Sequence, residues 1–475
     1  MRRLDSWKEI AEYLGRDLRT VMRWEQERGL PVRRVPGGKR SAVFAYPYDI
    51  DQWLERGEGQ SQAVAETSSA GNRASWVAPA GFAGLPGSRG RALRITIAVT
   101  VLLTAFFAAL RFLPSQQKWP SRVSAQEASF EGSGTSLRFS RTDLDLGVRT
   151  YRIRAGDFNE DGKTDLVFTS SPNDQLGILL GKGGGLFSPP RLHEGCAASD
   201  DVAVADFNHD GHADLAVSCV AGNKVVLFWG KGDGSFSGRT EIDVPGGPRV
   251  LTTADLGGNG WPDLAVATAR GDLYLLKNTE GRFSSSLLAH CDSVTFPVFT
   301  DWDGDGIPDL LTGLTIHGKS GVGFFPGKSD GTLGPLQFLV ELRSLPGMLA
   351  VADFDGDGHK DLAVSSWEDI RVFLGRPGKL PPVLSQEFLD RTKSWFMYAA
   401  DFDGDGKLDL LNSNTAQGKL FFFRGLGNGK FAEPAAMNLE SYAQPTLIVD
   451  LAGDGKPEIL VPSYARNAVI VLKPR

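Results

Sequence analysis

The sequence predicts a multidomain chain: a small α+β winged helix-turn-helix domain, a single transmembrane helix and an all-β seven-bladed propeller. Three observations carry that prediction. A ten-residue acidic frame returns seven times, its starts 46 to 52 residues apart, a period that marks propellers or solenoids. Residues 92–113 form an apolar run long enough to span a bilayer. Residues 1–56 carry apolar positions at helical spacing in place of the repeat.

In chain order, residues 1–56 come first. "SWKE" (6–9) is a capping box, and Trp7, Ile10, Ala11 and Leu14 follow on one helical face, with Gly15 as the stop. Asp17 can cap a second helix, "LRTVMRWEQERG", ending at Gly29 before Pro31. "RRVPGGKRSAVFAY" then has the turn and flanks of a hairpin. Two short helices followed by a hairpin predict the winged helix-turn-helix, with Trp7, Trp24 and Trp53 in its core. Basic residues outnumber acids between Arg16 and Arg40, although the whole chain is at −6. Arg16 just before the second helix, Arg19, Thr20 and Arg23 on it, and Lys39 and Arg40 at the wing are the candidate DNA contacts. The competing explanation for any one of these arginines is an ordinary solvated helix face. The stretch "EIAEYLGRDLRTVMRWEQERGLP" resembles MerR-like and excisionase-like DNA-binding domains, which implies a nucleic-acid partner for this end.

Residues 57–91, rich in Gly, Ser, Ala and Gln without a hydrophobic period, read as a flexible linker. In 92–113 the stretch Ile95–Leu110 has no charge, and Arg94 and Arg111 can snorkel, so a single membrane span is expected. A buried core helix needs a surrounding domain that this neighbourhood lacks, and the ninety-odd residues before the run disfavour a cleaved signal peptide. Residues 114–135 are expected to be a juxtamembrane linker, leaving 136–475 for the propeller.

The repeat itself reads "DFNEDGKTDL" from Asp157, "DFNHDGHADL" from Asp206, "DLGGNGWPDL" from Asp255, "DWDGDGIPDL" from Asp301, "DFDGDGHKDL" from Asp353, "DFDGDGKLDL" from Asp401 and "DLAGDGKPEI" from Asp450. Positions 1, 3, 5 and 9 are mostly Asp or Asn, position 6 is always Gly, and position 7 varies freely. Calcium takes six to eight oxygens, and an EF-hand loop likewise uses side chains at 1, 3 and 5, a carbonyl at 7 and Gly at 6. Metal-free Asp-Gly turns would explain one Gly but not four spaced acids, and magnesium demands a stricter octahedron. Five loops are therefore candidate calcium sites: Asp157, Asn159, Asp161 and Asp165; Asp206, Asn208, Asp210 and Asp214; Asp301, Asp303, Asp305 and Asp309; Asp353, Asp355, Asp357 and Asp361; Asp401, Asp403, Asp405 and Asp409. The loops at Asp255 and Asp450 are degenerate, with Gly257 and Asn259 in one and Ala452 and Glu458 in the other.

Short apolar, β-branched stretches flank each loop, "DVAVADF" before and "DLAVSCV" after, and "KVVLFWG" and "SGRTEIDV" follow. Four strands per repeat make a propeller blade. The "GxGxF" turn reads as a plain hairpin. The last repeat stops one strand short, while "SLRFSRTDLDLG" (136–147) is a spare strand that could complete the seventh sheet and leave no open edge. With seven copies of "DxDxDGxxD" and the downstream "GxGxF", residues 136–475 resemble the FG-GAP or VCBS calcium-loop repeats of the integrin α-subunit head. That resemblance implies calcium held between the first two strands of each blade.

Extracellular calcium modules bind at millimolar or submillimolar concentrations, which predicts the propeller outside the cytosol and the N-terminus inside. Three cysteines leave at least one thiol free, and their spacing suggests neither a disulfide nor a metal site. The leading expectation is a single-pass transcriptional regulator with a propeller sensor for an extracytoplasmic protein or carbohydrate, signalling by pairing of two chains. The alternative is a cell-surface adhesion or scaffold protein. An enzyme is disfavoured: no GxSxG or HExxH occurs, and His209, His212 and His359 sit at variable loop positions.

Overall fold

A computed structural model describes residues 6–14, 18–28, 30, 32–34, 43–44 and 50 at the N-terminal end, and 126–475 except 132–136, 367, 377–379, 390–394, 415–416, 440–445 and 464–465. The chain divides into two compact units, Met1–Leu113 and Pro114–Arg475. The expected membrane span at 92–113 and the linker at 57–91 lie outside the described residues. Among the described residues no helix is long and apolar enough to cross a membrane.

In the N-terminal unit, helix α1 (Trp7–Leu14) begins where the Glu9 N–H donates to the Ser6 hydroxyl at 3.2 Å, the cap that the sequence signals. Helix α2 spans Leu18–Arg28, and Arg33–Arg34 pairs antiparallel with Val43–Phe44. Ile10, Ala11, Val21, Trp24, Leu30, Val43 and Ile50 form one buried cluster against which Trp7 packs. The expected helices, ladder and tryptophan packing are therefore present; Trp53 lies outside the described residues.

The C-terminal unit is a ring of seven antiparallel sheets. Blades 2 and 3 each run inner to outer through four consecutive strands, for example Ser199–Ala205, Asp214–Cys219, Lys224–Gly230 and Phe236–Asp243 in blade 2; in blade 1 the small hairpin of Gly181–Gly183 and Leu186–Phe187 intervenes before the outer strand Arg191–Glu194. Blades 5 and 6 repeat that order. In blade 4 the inner strand is split into Ser293–Val294 and Val298–Thr300, with Pro297, which has no N–H to give a ladder, in the gap. Second strands such as Asp165–Ser170 and Asp361–Ser366 are buried at every position. They therefore read as continuous apolar runs without alternation. Outer strands such as Arg282–His290 are mostly exposed and polar.

Blade 7 closes the ring across the two ends of the unit. Its inner three strands are Leu447–Val449, Glu458–Ser463 and Ala468–Pro474, and the fourth is Arg138–Asp145, in register from Ala468↔Asp145 to Pro474↔Phe139. The spare strand thus does what the sequence suggests. One boundary differs from expectation: Gln126–Ser129 adds a fifth strand to this sheet, and Phe130 is buried against Phe139 and Phe422. Part of the stretch expected to be a juxtamembrane linker therefore belongs to the propeller. Its polar strand pattern, "QEAS", hid it, because an added edge strand has no second face to bury.

The glycine turns are more than hairpins. Phe236, Phe283 and Phe431 at the ends of these turns pack edge-on against Phe158, Phe207 and Phe354 of the preceding blade's acidic loop, with centroids 5.4 to 6.1 Å apart. Gly234 and Gly429 donate backbone N–H to the carbonyls of Phe158 (2.7 Å) and Phe354 (3.1 Å). Gly429 has φ +68°, and a Cβ there would lie 2.4 Å from Leu374 Cδ2. Gly429→Ala is accordingly expected to destabilise the propeller by about 1–3 kcal/mol, through left-handed strain and overpacking, measured as a lowered urea midpoint at unchanged slope.

Candidate metal centres

Each acidic loop joins the first and second strands of its blade, and the aromatic or leucine at position 2 and the leucine or isoleucine at position 10 anchor it. Phe207, Trp302 and Phe402 are buried at the first of these positions, and Leu215, Leu310 and Leu410 are wholly buried at the second. Between the anchors the chain turns on itself. In blade 6, Asp401 accepts N–H groups from Gly404 (2.7 Å), Asp405 (3.1 Å) and Gly406 (2.9 Å), and Asp405 accepts the N–H of Lys407 (2.9 Å). Gly406 takes φ +82°, which is why position 6 is invariant across the seven copies. The same turns form at Asp255 and Asp450, so the loop shape does not depend on a full set of acids.

Position 9 sits differently from positions 1, 3 and 5. Asp165, Asp214, Asp309, Asp361 and Asp409 are fully buried. Each tethers its own loop to the end of the third strand: Asp409 Oδ2 accepts the Phe402 N–H at 3.0 Å and Oδ1 the Gly425 N–H at 2.7 Å. Burial pushes the carboxyl of Asp409 up to about 7, and those of Asp214 and Asp361 to about 6; neighbouring loop acids add to the rise and the two backbone N–H groups oppose it. Asp303 and Asp403 at position 3 are also raised, first by burial. These are carboxylates whose charge an adjacent cation would favour.

Carboxylate oxygens converge within 4.8 Å of one another in three loops: Asp301, Asp303 and Asp309; Asp353, Asp355 and Asp357; Asp401, Asp403 and Asp409. A hard-oxygen donor set of this kind suits calcium. The predicted residues of blades 1 and 2 lie in equivalent loops, where Asn159 and Asn208 replace one carboxylate each. Asn159 Oδ1 there is a buried oxygen without a hydrogen-bond donor. In blade 5, Arg376 Nη1 bridges Asp355 (3.1 Å) and Asp357 (2.7 Å).

The two degenerate loops each receive a lysine from the third strand. Lys277 Nζ lies 2.9 Å from Asp263 Oδ2 and donates to the Gly331 carbonyl at 2.9 Å. Lys473 Nζ lies 3.4 Å from Glu458 Oε1 and 4.0 Å from Asp454 Oδ2. An ammonium thus neutralises the buried acid in the loops that lack the full set of carboxylates. Nothing local in the sequence signals this pairing, because the lysines stand about fourteen or fifteen positions downstream of the acids they meet.

Position 7, free in sequence, is used in the first blades. His212 at position 7 of blade 2 pairs with Glu160 of blade 1, which raises the imidazole above its ordinary range. Trp261 of blade 3 stacks on His209 of blade 2 with centroids 4.4 Å apart. Neighbouring loops therefore touch. The cysteines also differ from expectation: Cys196 and Cys219 form a disulfide within blade 2, and Cys291 is free and buried. A separation of 23 residues gave no signal; the hairpin geometry of the blade's first two strands brings the pair together.

Of the candidate DNA contacts, Arg19 and Arg23 are exposed on α2 and Thr20 is half-buried beside them. Arg16, Lys39 and Arg40 lie outside the described residues.

Seven blades, each with an acidic, glycine-turned loop between its first and second strands, define an acidic-loop repeat β-propeller. The chain belongs to the FG-GAP-like repeat family, whose model matches residues 157–217, 217–266, 255–312, 353–412 and 401–461, more than half of its length. No match is found among curated proteins. Solved structures similar to it include BBS1N in complex with ARL6DN (12% identity, TM-score 0.49, 70% of this chain and 97% of that one). Another is an Agrocybe aegerita lectin described as recognising non-reducing terminal N-acetylglucosamine (19%, TM-score 0.45, 61% and 80%). A third is the β-propeller domain of Myceliophteria thermophila Cps50 (16%, TM-score 0.47, 69% and 96%).

Proposed function

We propose that the propeller is a calcium-loaded binding module displayed outside the cytosol, where it engages a protein or carbohydrate in an adhesion or scaffold role. The convergence of carboxylates in repeated loops on a closed ring carries this reading: it is a hard-oxygen donor set held in place by the blades. Five loops would hold calcium through positions 1, 3, 5 and 9, and those of Asp255 and Asp450 would rely on Lys277 and Lys473. Calcium would supply charge neutralisation and rigidity to the loop face. The test is retention of the full-length protein on arrays of glycans and surface proteins. Retention in calcium with release by EGTA supports the reading; equal retention in both, or none in either, contradicts it.

The disulfide supports the location, since such bonds persist in oxidising compartments. Closing a loop of this size contributes about 3 kcal/mol, so dithiothreitol is expected to lower the propeller's melting temperature by several degrees. Protein isolated without reductant should also show Cys196 and Cys219 blocked to alkylation. Free thiols at both positions in freshly isolated protein would count against an exported propeller.

A second reading, a membrane-anchored transcriptional regulator, is favoured by one observation: the helix pair at the N-terminus, α1 capped by Ser6, with Arg19 and Arg23 exposed on α2. Residues 57–91 would act as a tether and 92–113 as the span, so that pairing of propellers outside would raise the effective concentration of the inner domains. Footprinting with full-length protein tests it: protection lost in Arg19→Ala/Arg23→Ala supports the reading, and no protection on any promoter, its own included, removes it.

A further inference from the structure

The axis of the propeller holds a cavity of about 590 Å³ lined by the inner strands, within the size range of small-molecule sites. Its walls mix apolar side chains, Val204, Val250, Met348 and Met397 among them, with polar ones such as Thr252 and Thr253, and Arg152 and Arg154 also line it. These arginines are absent from the metal chemistry and from the repeat frame.

Arg152 is the unusual group. It is 4% exposed, and its guanidinium lies 5.4 Å from the ring centre of Tyr151, 5.2 Å from Phe296 and 5.9 Å from Phe396. The nearest carboxylate, Asp200 Oδ1, is 3.8 Å from Nε, too far for a hydrogen bond, and both atoms are buried without a partner. Asp200 is instead drawn to Arg249, whose Nε donates to Oδ2 at 2.9 Å. Asp201 is likewise engaged by Arg154 Nη2 at 2.7 Å and by the Leu251 N–H at 3.2 Å. Among the described residues, Arg152, Arg154 and Arg249 set three guanidinium groups against the carboxyls of Asp200 and Asp201. A buried guanidinium with an unmet donor costs free energy unless something accepts from it.

We propose that this axial cavity binds a small monocarboxylate with an apolar body, its carboxylate on the Arg152 guanidinium and its acyl or aryl portion against the valine and methionine walls. A carboxylate matches the planar donor edge of arginine, and it brings a single negative charge to these guanidinium groups. A dianion such as phosphate would set a second charge beside two buried aspartates. The valine and methionine side chains favour an apolar body over a polyhydroxylated one. The pocket is independent of the macromolecular binding proposed above, and a propeller that binds cells or glycans but no small acid would lose only the pocket.

The test uses calcium-loaded, full-length protein in detergent, titrated calorimetrically with hexanoate, benzoate and glucuronate and with hexanamide and benzamide. Hexanoate or benzoate is expected to bind with a dissociation constant below about 1 mM, with the matched amide and glucuronate at least about tenfold weaker. Arg152→Met, which keeps the volume between the rings, should lose about 10- to 100-fold in acid affinity. The inference is overturned if neither apolar acid binds, if acid and amide bind alike, or if folded Arg152→Met binds the acids as well as the native protein. Because the acid–amide comparison needs no variant, it decides the matter even if Arg152→Met fails to fold.

Discussion

Deleting residues 126–147 is expected to abolish cooperative unfolding of the propeller and to drive it into aggregates. That segment supplies the fourth and fifth strands of blade 7, paired with Ala468–Pro474 over seven residues, and it brings Phe130, Phe139 and Leu146 into the core. Losing a side chain like that of Phe139 alone costs about 3–5 kcal/mol, against a total stability of about 5–15 kcal/mol for an ordinary domain. The deletion also opens the edge of Ala468–Pro474, an apolar and β-branched strand, to pairing with other chains. Size-exclusion chromatography and a thermal scan of the truncated protein check both effects. A truncated protein that stays monomeric and melts in one sharp transition at the native temperature would show that the ring does not depend on this clasp.

The second large effect concerns one carboxylate. Asp403→Ala gives the loop of blade 6 the alanine that blade 7 already carries as Ala452, but without the lysine that serves blade 7, Lys473. One calcium ion should be lost per chain. The stabilisation that calcium confers should fall by about 2.7 kcal/mol at a concentration a hundredfold above the dissociation constant. Asp454→Ala, in the loop where Lys473 stands by Glu458, is expected to change neither the calcium count nor the calcium-dependent part of the melting temperature. Both variants are read by thermal scans with and without calcium. Equal effects would mean that the frame of the repeat, rather than the number of carboxylates, decides where metal binds.

Much of the propeller was legible because its signals are local and repeated. Asp at position 1, Gly at position 6 and Leu at position 10 each answer one physical need, respectively to gather backbone N–H groups, to take positive φ and to fill the core, and seven repetitions make the need visible. The closing strand was legible through what the last repeat lacks. What escaped depends on chain segments meeting in space. Gln126–Ser129 has no apolar alternation to announce a strand, Lys277 meets Asp263 only across the blade, and Cys196 meets Cys219 only once two strands pair. The position 9 acids looked like further ligands equal to the rest, whereas their burial and two backbone donors also make them the tie between loop and third strand. Arg152 gave no signal at all, because its significance lies in which aromatic rings and aspartates the ring of blades collects on its axis.

Calcium in the acidic loops, and its maintenance of the binding module, are read by calorimetric titration of metal-stripped, full-length protein with calcium, followed by thermal scans across the same range. About five ions per chain are expected, with dissociation constants on the order of 0.1–1 mM and a melting temperature that climbs with calcium and falls back in EGTA. No heat of binding, together with one melting temperature in calcium and in EGTA, would contradict both the binding and its stabilising role.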